Sequence, residues 1–495
     1  MRHRVPALLL CLALALACER EAATGPATRA VLSPPTAHTP LAVTSADTRP
    51  IPDRAAPNVL LITLDTTRAD RLGAYGYALD TSPSIDALAR KGVVFERAIA
   101  AASVTAPSHA SIFTSKYTRE HSVGWMNGTT RLDRQISMAE LFASAGYATG
   151  GFVGNLLLQR RLGFDRGFQT YDDDLPVQEV NRHVFERKAE QTTRKAMAWL
   201  AAQGQRPVFL WVHLQDPHGP YTPPAAYAER LTVPARPDEK PLPFIDTEFG
   251  LSGIPPYQQV DGQHLPSEYE SRYAREILYA DHWVGELLAA FEAKSAQQGR
   301  ERMVLLTSDH GESMGEGYRY FVHGHTTTPE VAHVPMILVA PGIPPGRRDG
   351  VVNHVDIMPT LLELAGIDSP NPMSGIALGP YLRSGRALPD RLVFCDIGRE
   401  LSAYRSDAFL RVKGVAGAWP VDGREVRDGP ERAKAWKMYS WSEDGHWKRS
   451  PIDASLKARV RAYADTAVPM SDAPPLVVDD IERLRALGYV VGGDS

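Results

Sequence analysis

Cysteine is almost missing from this chain, with three in 495 residues. Two of them, Cys11 and Cys18, fall at the extreme N-terminus, so the body of the protein keeps Cys395 alone. A lone thiol excludes an intramolecular disulfide framework. A basic excess is missing as well. The 54 Lys and Arg face 58 Asp and Glu, a formal charge of −4, and this excludes the clustered cations that a nucleic-acid backbone demands. No apolar run reaches the roughly eighteen residues of a membrane-spanning helix, and no internal repeat is present. Apolar residues are plentiful at 43%, enough for a large core. Length alone suggests about three domains, but α/β enzymes often run longer as one unit.

The N-terminus has the pattern of a leader. Arg2 and Arg4 precede the short apolar run from Ala7 to Ala17, which ends in Leu14-Ala15-Leu16-Ala17-Cys18. That ending resembles a bacterial lipobox, with residues 1–17 as signal peptide and Cys18 as the acylated first residue. The expected address is the bacterial cell envelope, lipid-anchored, periplasm-facing or on the outer membrane. Residues 18–56 are rich in Ala, Thr and Pro without apolar periodicity and are expected to form a flexible tether.

Order begins at Asn58-Val59-Leu60-Leu61-Ile62-Thr63-Leu64, a continuous apolar strand of the kind buried on both faces. Similar strands are expected at Val208 to Leu214, Met303 to Thr307 and Met336 to Ala340. Helical patterns lie between them, at Ser84 to Arg90, Ser137 to Ala145 and Glu270 to Lys294. Buried strands alternating with amphipathic helices predict an α/β sandwich around a mostly parallel sheet, over residues 57–388. Residues 222–266 interrupt the rhythm with nine prolines and read as a long surface excursion. Residues 389–495 read as a smaller α+β subdomain, with strands at Leu392 to Ile397 and Phe409 to Val412 and helices at Ala454 to Ala464 and Asp479 to Leu487.

In parallel sheets ligands gather at the carboxyl ends of the strands, and here those ends are polar. The first runs into Asp65, the second into His213, Asp216 and His218, the third into Asp309-His310. Carboxylates with imidazoles suit a divalent cation such as Mg²⁺, Ca²⁺, Mn²⁺ or Zn²⁺. An Asp after a strand also serves as a helix cap or turn residue, so any one position alone carries little weight. Thr105-Ala106-Pro107-Ser108-His109-Ala110-Ser111 has a proline placed for a first helical turn. A hydroxyl there faces the positive end of the helix. A coordinated cation can activate it as a nucleophile; on this segment alone, Thr105 reads better as a plain N-cap.

These segments together resemble the sulfatase family of the alkaline phosphatase superfamily. The resemblance rests on Asp65-Thr66-Thr67-Arg68-Ala69-Asp70 with Gly73, on the segment from Thr105, and on Asp216-Pro217-His218-Gly219-Pro220-Tyr221. It continues through Thr307-Ser308-Asp309-His310-Gly311-Glu312, His323-Gly324-His325 and Val355-Asp356-Ile357-Met358-Pro359-Thr360. It implies an alkaline phosphatase-like fold, with Asp65, Thr105, Asp309 and His310 as metal ligands. It further implies His218 and His323 as groups that contact ester oxygens or protonate the leaving group. Asn155 falls where relatives contact the transferred group, and His213 and His109 join it as expected substrate-binding residues. Four departures from formylglycine sulfatases stand out. Thr105 replaces the convertible cysteine, His109 the supporting arginine, Asn155 and Leu157 the Lys and His of a further block, and Thr66 an aspartate. They move the chain toward the threonine-nucleophile branch.

The expected activity is therefore a two-step hydrolysis of a sulfate, phosphate or phosphonate ester of a small molecule, glycan or lipid through a Thr105 intermediate. Asp216, His218 and His323 form an alternative set for a second metal. A phosphoethanolamine-type transferase and an inactive glycan-binding relative are the competing readings. The oligomeric state stays open.

Overall fold

The computed structural model describes residues 56–124, 131–132, 135–179, 181, 185–413, 436–441 and 447–465. The leader with Cys18, the tether and the helix expected at Asp479 to Leu487 lie outside the described residues.

Asn58–Leu64 forms the central strand of a nine-stranded sheet. Across the sheet the order is His333–Val334, Val93–Ile99, Met336–Val339, Arg302–Ser308, Asn58–Leu64, Val208–Leu214, Ala148–Val153 and Thr170–Asp172. Gly346–Asn353 also pairs with Val93–Ile99. The pairs around the centre are parallel. The expected strand at Met336–Val339 is present but runs antiparallel to both neighbours.

The central strands are buried on both sides because successive residues feed different cores. Val59, Leu61, Phe209, Trp211, Met303 and Leu305 pack with helices Thr105–Thr114 and Ile357–Ala365. Leu60, Ile62, Leu210, Val212, Val304 and Leu306 pack against Tyr273, Ile277, Val284, Leu287 and Phe291 of the 33-residue helix Pro266–Gln298. Each such burial contributes roughly 1.5–3 kcal/mol. A helix layer on each face completes the sandwich. Among the described residues no helix is long and apolar enough to cross a membrane.

The C-terminal part is an antiparallel sheet of five strands in chain order, Val393–Asp396, Glu400–Tyr404, Ala408–Lys413, Trp436–Trp441 and Trp447–Ser450. Leu456 and Val460 of helix Ala454–Asp465 pack onto it. The sheet is bolted to the main body by Arg119, whose Nε donates to Asp396 Oδ2 at 2.5 Å, both side chains being buried.

The Pro-rich excursion carries short 3₁₀ turns at Ala225–Tyr227 and Pro256–Gln258. Its inner end is tied down. Tyr257 Oη donates to the Phe321 carbonyl at 2.6 Å, and Gln258 Nε2 reaches the same carbonyl at 3.2 Å. His264 bonds the Leu242 carbonyl and stacks on Phe244, within the excursion itself.

Candidate active site

Register builds the centre of the site. Leu64 is aligned with Leu214 on one side and with Ser308 on the other. The ladder continues one step further, Asp65 N–H to Leu214 O at 3.0 Å and Asp309 N–H to Leu64 O at 3.0 Å. Residues in register on parallel strands share a face about 4.8 Å apart, so Asp65 and Asp309 emerge side by side.

The turn after Asp65 holds them there. Thr66 has φ 51°, a left-handed conformation that a β-branched residue adopts only when its surroundings impose it. The Tyr273 hydroxyl donates to the Thr66 carbonyl at 2.6 Å, and the Thr66 amide donates to Asp309 Oδ1 at 3.2 Å. The His310 amide donates to the same oxygen at 2.8 Å. Asp309 Oδ2 and Thr66 Oγ1 are left buried without a hydrogen-bond partner.

His310 completes the group. Its Nδ1–H donates to the Gly311 carbonyl at 3.0 Å, which turns Nε2 toward the carboxylates. Nε2 lies 3.6 Å from Asp309 Oδ2 and 3.9 Å from Asp65 Oδ1. Ligand atoms of Asp65, Asp309 and His310 all fall within 4.8 Å of one another, all fully buried. Donor atoms sharing one divalent ion at about 2.0–2.4 Å have such spacings. Burial, then the Asp65 charge, pushes the Asp309 carboxyl well above its usual range. Burial and the neighbouring His323 lower His310 to about 3, so its imidazole is neutral as a metal ligand must be. The donor set, the two orphaned oxygens and the neutral imidazole fit a divalent cation.

His109, His213 and Asp309 also converge, but His109 is committed elsewhere. Its Nδ1–H donates to the Thr105 carbonyl at 2.8 Å, and its Nε2 pairs with Thr63 Oγ1 at 3.0 Å. Thr63 Oγ1 accepts from Trp211 Nε1 at 3.0 Å, which leaves its proton for His109. His109 is thus a buried brace under the helix start. His213 is also buried, with Nε2 3.5 Å from Asp65 Oδ2, and burial lowers it to about 3.

Thr105 is the first residue of its helix, not the cap: the cap position is Val104, which supplies no side-chain acceptor. Pro107 has no N–H and the Ser108 amide donates to the Val104 carbonyl at 3.1 Å, so the amides at the positive end of the helix dipole are those of Thr105 and Ala106. Thr105 Oγ1 lies 3.5 Å from His310 Nε2, at the edge of the convergent group. Ser108 and His354 hold the helix to the strand end, with Ser108 Oγ donating to the Asp309 carbonyl at 2.7 Å and His354 Nε2–H to the Ser308 carbonyl at 3.0 Å.

Asn155 reaches the site through Asp65. Its Nδ2 donates to Asp65 Oδ2 at 2.8 Å, and its Oδ1 caps the Leu156–Leu158 turn through the Leu157 amide at 2.8 Å. Partners of metal-binding carboxylates typically tune affinity by 10–100-fold. Asn155→Ala is expected to raise the cation concentration for half-maximal stabilisation about tenfold or more, measured as the thermal midpoint against added metal.

Two histidines line the next shell outward. His323 packs 4.5 Å from the His310 ring and 5.1 Å from His218, centroid to centroid. The His323 Nδ1–H donates to Glu312 Oε1 at 3.1 Å, and Tyr221 Oη donates to Glu312 Oε2 at 3.0 Å. His218 directs Nδ1–H to the Gly219 carbonyl at 2.8 Å. Asp216 does not join them as a metal set. Its Oδ2 accepts from the Ala189 amide at 2.7 Å, at the start of helix Ala189–Ala201, and Lys188 Nζ lies 3.5 Å from Oδ1. That helix start and its lysine draw the carboxylate away, and among the described residues Asp216, His218 and His323 are not a convergent group.

The roles of Glu312, Tyr221, Tyr273 and His354 were missed in the sequence. Glu312 stands inside a motif, three residues past Asp309, and that nearness to a candidate ligand was the available signal.

Comparison with known proteins places these features among relatives. The family model described as Sulfatase matches residues 57–367. The Delta 4,5-hexuronate-2-O-sulfatase of Bacteroides thetaiotaomicron is 27% identical over 369 residues, 66% of this chain and 72% of that protein. The solved phosphonate monoester hydrolase of Agrobacterium radiobacter superposes with TM-score 0.60 at 21% identity, covering 83% of this chain and 94% of its own. A structure solved in complex with its substrate D-glucosamine-2-N,6-O-disulfate superposes with TM-score 0.60 at 19% identity, covering 79% and 92%.

Proposed function

The chain belongs to the sulfatase family, and from that premise we propose that it cleaves a sulfate, phosphate or phosphonate ester through a covalent Thr105 intermediate at a centre holding one divalent cation. Members of this family hydrolyse sulfuric or phosphoric esters, and this chain is such a hydrolase. The observation that carries the finer reading is the approach of Thr105 Oγ1 to the Asp65, Asp309 and His310 group at the uncapped start of a helix.

Asp65, Asp309 and His310 would hold the cation, which lowers the pKa of a nearby hydroxyl and neutralises charge on the ester oxygens. Thr105 Oγ, its proton lost to solvent beforehand, attacks the central sulfur or phosphorus as the bond to the alcohol oxygen breaks. The Thr105 and Ala106 amides at the start of its helix would face the equatorial oxygens. His323 is the group that hands a proton to the departing alcohol: with Nδ1–H held by the Glu312 carboxylate, it enters the step as the imidazolium and gives up the proton on Nε2. His218 stands beside it to bind an ester oxygen. Water then attacks the same atom, His323 takes its proton, and Thr105 is released, with net retention.

A glycan or other ring-bearing alcohol suits this reading, because relatives include a hexuronate sulfatase and a structure holding a sulfated glucosamine. The test is a panel of aryl sulfate, phosphate monoester, phosphodiester and phosphonate monoester, each with Mg²⁺, Ca²⁺, Mn²⁺ or Zn²⁺. Turnover of one class that chelator removes and one cation restores is expected. Inertness toward all four classes with every cation would sink the proposal.

A further inference from the structure

A cavity of about 740 Å³ lies where the edge of the main sheet meets the C-terminal sheet, a size inside the roughly 300–1,000 Å³ of ligand pockets. Arg97, Ile99 and His333 line it from the main sheet, Tyr404 and Trp447 from the C-terminal sheet, and Glu330 from the short helix Pro329–Ala332. Strand Val93–Ile99 stands three places along the sheet from Asn58–Leu64, roughly 14 Å at the usual strand spacing. That sets these walls apart from the Asp65 group.

Most charges around the cavity are already settled. Arg68 pairs with Asp70 and with Glu316 at 2.7 Å each, Arg347 with Glu96 at 2.5 Å, and Arg405 with Asp407 at 2.6 Å. Three lining groups keep capacity to spare. Arg97 donates to the Asp349 carbonyl at 2.8 Å and forms no ion pair among the described residues. Glu330 accepts from the Thr328 hydroxyl, and no Lys or Arg nitrogen of the described residues pairs with it. Burial is the leading cause that lifts its carboxyl above the ordinary range. His333 Nε2–H donates to the Glu96 carbonyl at 2.8 Å, and burial lowers the ring below its ordinary range, which leaves Nδ1 as a neutral acceptor.

We propose that this cavity is a second, non-catalytic site for a neutral saccharide of two or three rings, with Arg97, Glu330 and His333 as its polar contacts and Trp447 as its stacking wall. An ion that suits one of Arg97 and Glu330 is repelled by the other. A hydroxyl both donates and accepts, so a polyhydroxylated ring satisfies all three groups at once. A pyranose also carries an apolar C–H face, which packs on the large apolar surface of an aromatic ring. The rings here are held in place beforehand: Trp447 meets Phe409 edge to face at 5.0 Å, and Tyr404 Oη donates to the Thr327 carbonyl. Fixed walls lose little freedom on binding. A small zwitterion could meet Arg97 and Glu330 but would leave most of the volume unfilled.

The probes are cellobiose, maltotriose and N,N′-diacetylchitobiose, with glycylglycine as the zwitterion, each titrated by calorimetry into the full chain. At least one saccharide is expected to bind with a millimolar Kd or tighter, and glycylglycine at least tenfold more weakly. Trp447→Ala and Arg97→Ala should each raise the saccharide Kd about fivefold or more. Arg97 has one carbonyl contact, so its alanine variant should keep the parent thermal midpoint, and it decides alone if Trp447→Ala melts early. The proposal is overturned if no saccharide binds, if glycylglycine binds more tightly than all three, or if Arg97→Ala keeps the parent Kd. No part of this readout needs turnover, so it stands or falls separately from the hydrolase reading above.

Discussion

Replacing Thr105 by alanine is expected to cut kcat by three orders of magnitude or more while the thermal midpoint stays within a few degrees. Removal of a covalent nucleophile commonly costs 10⁴–10⁶ in turnover, and the small residual reflects binding and charge stabilisation that persist. The fold should tolerate the change for a local reason. Thr105 does not cap its own helix, and alanine is the stronger helix former. Thr105→Ser keeps the oxygen and should regain a measurable fraction of the rate. Stopped-flow or progress-curve assays beside thermal melts separate chemistry from stability. Near-full turnover by the alanine variant would mean that the attacking group lies elsewhere.

Asp309→Asn is expected to abolish metal-dependent turnover and yet to make the metal-stripped protein more stable at neutral pH. Asp309 sits buried beside Asp65, and burial with that neighbouring charge raises its pKa well above the ordinary value. A carboxyl whose folded pKa is raised stabilises the protein below its unfolded pKa, near 4, and that stabilisation is lost as pH climbs through the folded value. The stripped protein should therefore weaken with rising pH. Asparagine does not titrate. Its oxygen can keep the Thr66 and His310 amides, and its Nδ2 falls where His310 Nε2, 3.6 Å away, can accept. The melting curves of variant and parent should converge near pH 4 and separate by pH 8. Added cation should rescue the parent alone, by about 2.7 kcal/mol at a hundredfold excess over Kd. A parent whose midpoint ignores both pH and every divalent cation would contradict this account.

What could be read from residues alone follows from how each signal arises. Strands 58–64 and 208–214 were legible to the residue because burial on both faces leaves no polar position to blur their ends. Direction was not legible: an apolar run has no polarity, so 336–339 read like its parallel neighbours. Strands 93–99 and 346–353 escaped because Glu96, Arg97, Arg347, Arg348 and Asp349 give them the look of loops. Strand 148–153 hid behind Gly150 and Gly151, which pack so closely on Trp199 and Tyr171 that a Cβ would lie within 2.8 Å of either ring. At the site, Asp65, Asp309 and His310 were visible as polar groups at strand ends. The brace from Trp211 through Thr63 to His109, and the hold of Glu312 on His323, were not. They depend on which strands become neighbours, and no local pattern carries that.

The anchoring of the Pro-rich excursion has a practical corollary for anyone wishing to redirect this catalyst. Its stretch from Ala228 to Lys240 is mostly open to water, whereas Ile254, Tyr257 and Gln258 are buried against the segment that delivers His323. Grafts or randomised libraries belong in the outer arc, which can be rewritten without loosening the proton donor. Cuts made past Ile254 would remove the Tyr257 and Gln258 bonds to the Phe321 carbonyl and so disturb the segment that carries His323.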